Sequence, residues 1–582
     1  MSEPLHGRRD TIPSIHARES RTLRSALIMI AHLALALAAC NGEMVTGIDV
    51  RVHPPTTTSV AADALERASE ITGMHFATTR VSIARTYLLV REGHPCRELD
   101  RTESERILRN LTFISSAEIY VIPDGPGQIK LQVEIIDEFP ILAGLGVGHG
   151  SLSSLTLGSQ NLDGRGLLVA ARITRGFAYR TGFGLRATKF GAFGRRAFLG
   201  FDVEREPHGE RVGLEAAEPF LTDVQRNAYH ISVGSASTQA RLLPFSGEEV
   251  ALFTRRAFWD VGWVRRSGTD IPGRTVSVIG VVAMGEEIHV GTDVVIISPT
   301  GLLPAPDPAL PARYHDLGVA RVAAIAGLRQ ITYITVRGFD AVRATQDVGI
   351  GTQFGLLLGP SVWATAGDAD LFLASDFYAG GGDAGTFYTA RVLAEARGNH
   401  QSMRWDGLVG NARFSLSSRT SANWTTHASL EGSILQSLSF PSQLTFRDSD
   451  GGVRGYADAI AAGGRRAVIH LERRVRLPTA IVPADLALAA FTDAGKIWAG
   501  DAPYGVTTPV RASLGFSILG AYPSGSKRTY RVDFAYPLNP ETGRGALEVR
   551  LSSSNRTTSV WMEPRDVAYR RTGAMPATLL KW

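Results

Sequence analysis

From about residue 141 to about residue 555 the chain is built of short segments in which apolar positions alternate with polar or small ones, each closed by a turn. Leu167–Arg175 (LLVAARITR), Thr181–Lys189 (TGFGLRATK), Ala197–Arg205 (AFLGFDVER), Tyr229–Ala236 and Thr275–Met284 are examples. A period of two sends successive side chains to opposite faces of a strand. Roughly ten residues is the length of a tilted strand that crosses a bilayer, with one face to lipid and the other to a lumen. About twenty such segments satisfy the alternation. Gly144, Gly146, Gly148 and Gly150 follow the same period, which puts glycine on one strand face and differs from the spacing of a GxGxxG phosphate loop. Beyond residue 45 there is no apolar run of the roughly 18 residues that a spanning helix needs. The pattern predicts an all-β transmembrane barrel.

Upstream the periodicity changes. Thr56–Gly73 has helical composition with Thr and Ser available to cap it, and Thr78–Val90 (TTRVSIARTYLLV) is β-rich and reads as a strand. Arg91–Pro95 is turn-like. Glu103–Leu111 places Ile107, Leu108 and Leu111 at helical spacing, and the strands Ala117–Ile122 and Gln128–Ile136 are split by the turn Pro123–Gly127. This order predicts a small α/β domain ahead of the barrel.

At the start of the chain, Arg8, Arg9, Arg18, Arg21 and Arg24 precede the apolar stretch Ser25–Ala39, and Cys40 follows. Basic, apolar and small residues in that order read as a secretory signal. Leu37-Ala38-Ala39-Cys40 resembles the lipobox of bacterial lipoproteins, which implies lipidation at Cys40 as the mature N-terminus. Ordinary cleavage after a small residue, with Cys40 incidental, is the other reading. The chain has two cysteines, Cys40 and Cys96. With Cys40 removed or modified, Cys96 has no partner and no disulfide is expected.

Composition narrows the function. The 582 residues carry a formal net charge of +5, with 44% hydrophobic residues and 61 glycines; mean hydropathy is +0.01. The cations are mostly scattered arginines without the basic block that nucleic-acid binding needs. GxSxG, HExxH and GxxxxGK[ST] are absent, as is any Cys/His cluster with zinc spacing, so no enzymatic activity, metal or cofactor is expected. The acid pairs Asp368/Asp370 and Glu286/Glu287 read as solvated loop charges.

Two motifs near the end carry a family resemblance. Gly452-Val453-Arg454-Gly455-Tyr456 resembles the VRGF/Y loop of Omp85-superfamily barrels (the bacterial surface antigens of the D15 type), and Phe491-Thr492-Asp493-Ala494-Gly495 resembles their FxDxG strand motif. LLVREG, ESERILRNLTFISSAEIYV and GQIKLQVEIIDE resemble a POTRA domain, the α/β module preceding such barrels. The resemblance implies a barrel of about 16 strands and an inward loop whose Arg454 meets Asp493, with Glu472 nearby. It also implies a non-enzymatic insertase or polypeptide translocase in the bacterial outer membrane, its N-terminal domain in the periplasm. Its partners would be outer-membrane lipid, unfolded polypeptide clients and periplasmic accessory proteins, not nucleic acid. A passive porin-like pore and a structural surface antigen are the rival readings. The expected division is a signal peptide of lipoprotein type over 1–40, a linker with a helix or partial module over 41–75, and the POTRA-like domain over 76–138. The barrel follows over 139–555, and 556–582 is a tail or a misplaced last strand. The first barrel strand is expected at Ile141–Gly150 and the last at Ala546–Ser553.

Overall fold

The computed structural model describes residues 39–571, apart from 56–76, 149–150, 176–180, 207, 245–247, 269–272, 299, 306, 340, 366, 400–404, 448–450, 479–483, 542–545 and 556–563. Residues 1–38 of the expected export signal and the helix expected at Thr56–Gly73 lie outside the described residues.

The N-terminal domain orders its elements as β1 (Asn41–His53), α1 (Val81–Tyr87), β2 (Pro95–Arg97), α2 (Glu98–Asn110), β3 (Ile114–Pro123) and β4 (Gln128–Asp137). The sheet order is β2-β1-β4-β3, with β1 parallel to β4 from Met44 opposite Gln128 to His53 opposite Ile136. Alternation along β4 turns Ile129, Leu131, Val133 and Ile135 onto the helices, where they pack with Ile107 and Leu108 of α2 and Ala84 and Tyr87 of α1. Glu98 and Asp100 stand in the first turn of α2, where carboxylates complement the exposed backbone N–H groups.

Three expectations are corrected here. The domain begins at β1, so residues 41–53 belong to its sheet and not to a linker. The segment read as a strand over Thr78–Val90 contains helix α1. Cys40 is joined to Cys96 by a disulfide that ties β1 to β2. The expectation that Cys96 has no partner is corrected, and the sulfur that a lipobox would acylate is bonded in this structure.

Residues 141–555 form a closed ring of twenty antiparallel strands, with the four-residue Gly301–Pro304 added as a hairpin on Val276–Ser298. The sixteen strands implied by resemblance are too few. The count from alternation is the one the structure matches. Outward positions recur every second residue: Phe183 and Leu185, Tyr229, Ile231 and Val233, Leu514, Phe516 and Ile518 are all exposed. Trp363, Trp405 and Trp498 sit at one end of this apolar belt, and Tyr229, Tyr388 and Trp424 at the other. Aromatic rings at both rims of an apolar wall fit the two interfaces of a bilayer. Closing the ring leaves no long open edge strand among the described residues, as a bilayer requires.

The N-terminal domain docks on one mouth, here the proximal one. Arg109 of α2 forks onto Asp347 at 2.9 and 3.1 Å. The Gly191 N–H donates to the Tyr87 hydroxyl at 2.9 Å, and Phe113 packs on Phe190. Glu138 accepts from the Ser526 hydroxyl (2.5 Å) and the Lys527 N–H (3.0 Å), and Lys527 Nζ donates to the Ile114 carbonyl. Full burial pulls the Lys527 ammonium down to about 8.

The last strand is Glu548–Asn555, beginning two residues later than expected. A tail follows it. Its described part, residues 564–571, lies inside the lumen.

Candidate functional site

The strand Asp485–Trp498 alternates buried and exposed positions, so Phe491, Asp493 and Gly495 all face the lumen. The adjoining strand Arg465–Arg476 turns Glu472 the same way. Between Trp424–Gln436 and Arg465–Arg476, the described residues of 437–464 fold inward from the distal mouth, and their motif lands on these three groups.

Arg454 donates from Nε to Asp493 Oδ2 (2.6 Å) and from Nη2 to Asp493 Oδ1 (2.7 Å), and its backbone N–H also donates to Oδ2 (3.3 Å). Nη1 donates to Glu472 Oε2 at 2.8 Å. The planar guanidinium thus holds one carboxylate in a fork and a second at its remaining edge, which a lysine cannot do. The same plane lies 3.5 Å from the centre of the Phe491 ring. Every side of the cation is covered.

The glycines of the two motifs make this fit. A Cβ on Gly495 would stand 2.9 Å from Val453 Cγ2, so a larger residue would displace the loop. Gly455 has φ +86, in the left-handed region where side chains are strained. Val453 is fully buried against Phe446, Val468 and Ile497. The Tyr456 hydroxyl donates to Asn539 Oδ1 at 2.9 Å, tying the loop tip to the distal turn that follows Arg528–Pro537.

Several members of the site were not anticipated. Asp493 also meets His470 Nδ1 at 2.9 Å. Arg531 grips Glu472 through both terminal nitrogens, at 2.6 and 3.1 Å, and is itself held by Asp533 and Ser517. Arg474 reaches Glu472 as well. The signal was present: Arg531 and Asp533 stand two apart on one strand, as do His470, Glu472 and Arg474 on another. Charged residues at period two on a lipid-spanning strand must face inward.

The lumen holds a second ionic cluster. Glu286 lies within Val276–Ser298, fully enclosed between Arg256 and Arg397, and Arg321 forks onto Asp370. Reading Glu286 and Asp370 as solvated loop charges is thus corrected: both are buried wall carboxylates that hold arginines. Asp368 is buried too, and bonds Thr365 and His315.

Both open flanks of the N-terminal sheet are partly sealed by side chains. On β3, Glu105 accepts from the Ile119 N–H while Arg101 and Arg109 donate to the Ile119 and Ala117 carbonyls. On β1, Glu92 and Arg85 take both backbone groups of Ile48.

The wall is low where the ring closes. The first strand, Ile141–Gly148, and the last, Glu548–Asn555, have 8 residues each, against 23 in Val276–Ser298 and 21 in Leu317–Arg337. At about 3.3 Å per residue and a tilt near 40°, eight residues rise only about 20 Å, less than the ~25 Å apolar band of such barrels.

No family model matches the chain, and no curated protein matches it. Among solved structures the chain is similar to BamA from Haemophilus ducreyi lacking POTRA domains 1-3, at 12% identity and TM-score 0.38 over 87% of this chain and 84% of that one. It is similar to CdiB from Escherichia coli at 11% identity and TM-score 0.45, over 88% of this chain and 76% of that one. CdiB from Acinetobacter baumannii gives 9% identity and TM-score 0.39, over 94% of this chain and 99% of that one.

Proposed function

We propose that the chain is an Omp85-type insertase or polypeptide translocase of the bacterial outer membrane, working without enzymatic chemistry. Its N-terminal α/β domain would be a POTRA domain standing in the periplasm. The observation that carries the reading is the inward loop clamped by Arg454 onto Asp493 and Glu472, because a passive pore has no use for an immobilised loop across its own lumen. The low wall at the seam supports it further. A chain can enter a bilayer sideways from a barrel only where closure is weak, and short strands offer few cross-strand pairs to hold the seam. The docked N-terminal domain reaches the turn 522–527 beside the last strands, so a client on that domain stands near the seam. The sealed flanks of β1 and β3 make the seam, more than the sheet edge, the place where a client strand would pair.

A photocrosslinking residue at Leu145 or Val549, both lipid-facing on the seam strands, tests the reading in living cells. Capture of newly exported outer-membrane polypeptides from these positions, and not from Ile279 on the far wall, is the expected result. Capture of lipid alone from both positions would overturn it in favour of the porin-like pore or the structural antigen.

A further inference from the structure

The described tail residues 564–571 occupy a site on the inner wall that is built to hold a peptide. Arg466 forks onto Asp566 with Nη1 at 2.6 Å from Oδ2 and Nη2 at 3.0 Å from Oδ1, while Nη1 also donates to the Thr445 carbonyl. Val567 is fully buried among Val409, Leu435 and Leu444. Arg571 Nε donates to Glu395 Oε1 at 2.8 Å. Arg256 reaches the tail backbone, donating to the Arg571 carbonyl at 2.8 Å and the Tyr569 carbonyl at 3.4 Å. The Arg570 guanidinium lies 5.6 Å from the Phe440 ring.

The site therefore reads an acidic residue, an apolar residue and a basic residue in that order, and it reads the backbone between them. Its walls come from several barrel strands and from the inward loop, where Pro564 packs so closely on Gly451 that a Cβ there would stand 2.6 Å away. The last strand ends at Asn555 opposite Arg528, on the side of the docked N-terminal domain. Eight residues lie between Asn555 and Pro564, a length that can span at most about 30 Å. The tail is held by ion pairs and main-chain bonds of the kind that another polypeptide can replace.

We infer that the lumen contains a peptide-binding site whose resident occupant is the chain's own C-terminal segment Pro564–Arg571. The segment acts as a removable plug, and the site takes an acidic–apolar–basic stretch of a second polypeptide once the plug leaves. The plug stands on its own contacts; the second polypeptide rests on the translocase reading of the preceding section.

Planar-bilayer conductance of the full chain and of a chain ending at Asn555 tests this. The full chain should conduct poorly and the shortened one well. A synthetic peptide WMEPRDVAYRRT should close the shortened barrel again. The same peptide with Asp566→Lys should bind at least about tenfold more weakly, which is 1.4 kcal/mol. Because shortening could impair assembly, Asp566→Lys in the full chain provides a second route and should raise conductance. A disulfide between Val567→Cys and Leu444→Cys should keep it low. Equal conductance in all variants, with no effect of added peptide, would overturn the plug. Closure by the wild-type and Asp566→Lys peptides at equal concentration would overturn the recognition order. None of these readouts depends on client insertion, so a failed translocase reading and a failed plug are separately visible.

Discussion

Replacing Arg454 by alanine removes the three guanidinium hydrogen bonds at once and leaves only the backbone N–H bond to Asp493. The backbone bond to Asp493 depends on the loop staying in place, and the side chain that anchors it there is gone. The two acids fare differently. Glu472 keeps Arg531 and Arg474, so its charge stays paired. Asp493 is left with His470 alone and loses the fork that covered both its oxygens. Breaking a buried pair by removing one partner costs about 3–5 kcal/mol. With one acid still neutralised, the lower end, about 3 kcal/mol, is expected. Arg454→Lys keeps the charge but loses the fork and the stack on Phe491, so an intermediate loss of about 1–2 kcal/mol follows. In a double-mutant cycle, Arg454→Ala and Asp493→Ala should be strongly sub-additive, with a coupling of about 2 kcal/mol. The assay is urea unfolding of the detergent-folded barrel, followed by the heat-modifiable shift in gel migration. An Arg454→Ala barrel within about 0.5 kcal/mol of wild type, the usual range for surface changes, would refute the argument that this loop is held by its arginine.

Further expectations concern the motif glycine, the disulfide and the docking of the N-terminal domain. Gly495→Val should push Val453 off the strand and destabilise the barrel by about 1–3 kcal/mol, the range for overpacking, read by the same unfolding assay. Cys40 and Cys96 should resist alkylation until reduced, and mass spectrometry should find no acyl chain on Cys40. With the two cysteines 56 positions apart in sequence, loss of the bridge should destabilise the N-terminal domain by up to about 4 kcal/mol. Asp137, whose oxygens accept from the Thr79 N–H and hydroxyl, is pushed up to about 6 by burial. A carboxyl raised in the folded state binds its proton more tightly there than in the unfolded chain. Its contribution is therefore most favourable below about pH 4 and is lost as pH rises through about 6. Asp137→Asn should remove up to about 3 kcal/mol of that pH dependence, seen as a wild-type-minus-mutant difference in domain unfolding between pH 4 and 7.

Much of the wall was legible because lipid outside and a polar lumen inside force a strict alternation that survives in single strands. The strand count followed from it, and went astray only where a family expectation replaced the count. The loop lock was legible through VRGY and FxDxG, since the groups that meet were marked by motif. What escaped depends on partners far away in the chain. β1 alternates well enough through Val45, Ile48, Val50 and Val52, yet its partner β4 lies some eighty residues on, so it passed for a linker. Helix α1 carries Val81, Ile83, Thr86 and Tyr87, residues that favour strands. Packing of Ala84 and Tyr87 into the core, and the Tyr87 bond to Gly191, override that preference. Glu286 follows a glycine and precedes another acid, which suggests a turn, while its real environment is two arginines on other strands. The lumenal placement of Pro564–Arg571 has no periodicity to announce it.

On the proposed reading, the seam between Ile141–Gly148 and Glu548–Asn555 opens to pass a client into the bilayer. A cysteine pair placed across those strands, in a chain whose own Cys40 and Cys96 are replaced by alanine, allows the seam to be shut by oxidation and reopened by reduction. Insertion of client barrels should stop on oxidation and return on reduction, with the heat-modifiable fold of the protein itself unchanged throughout. Full insertion activity with the seam covalently closed would rule out lateral opening.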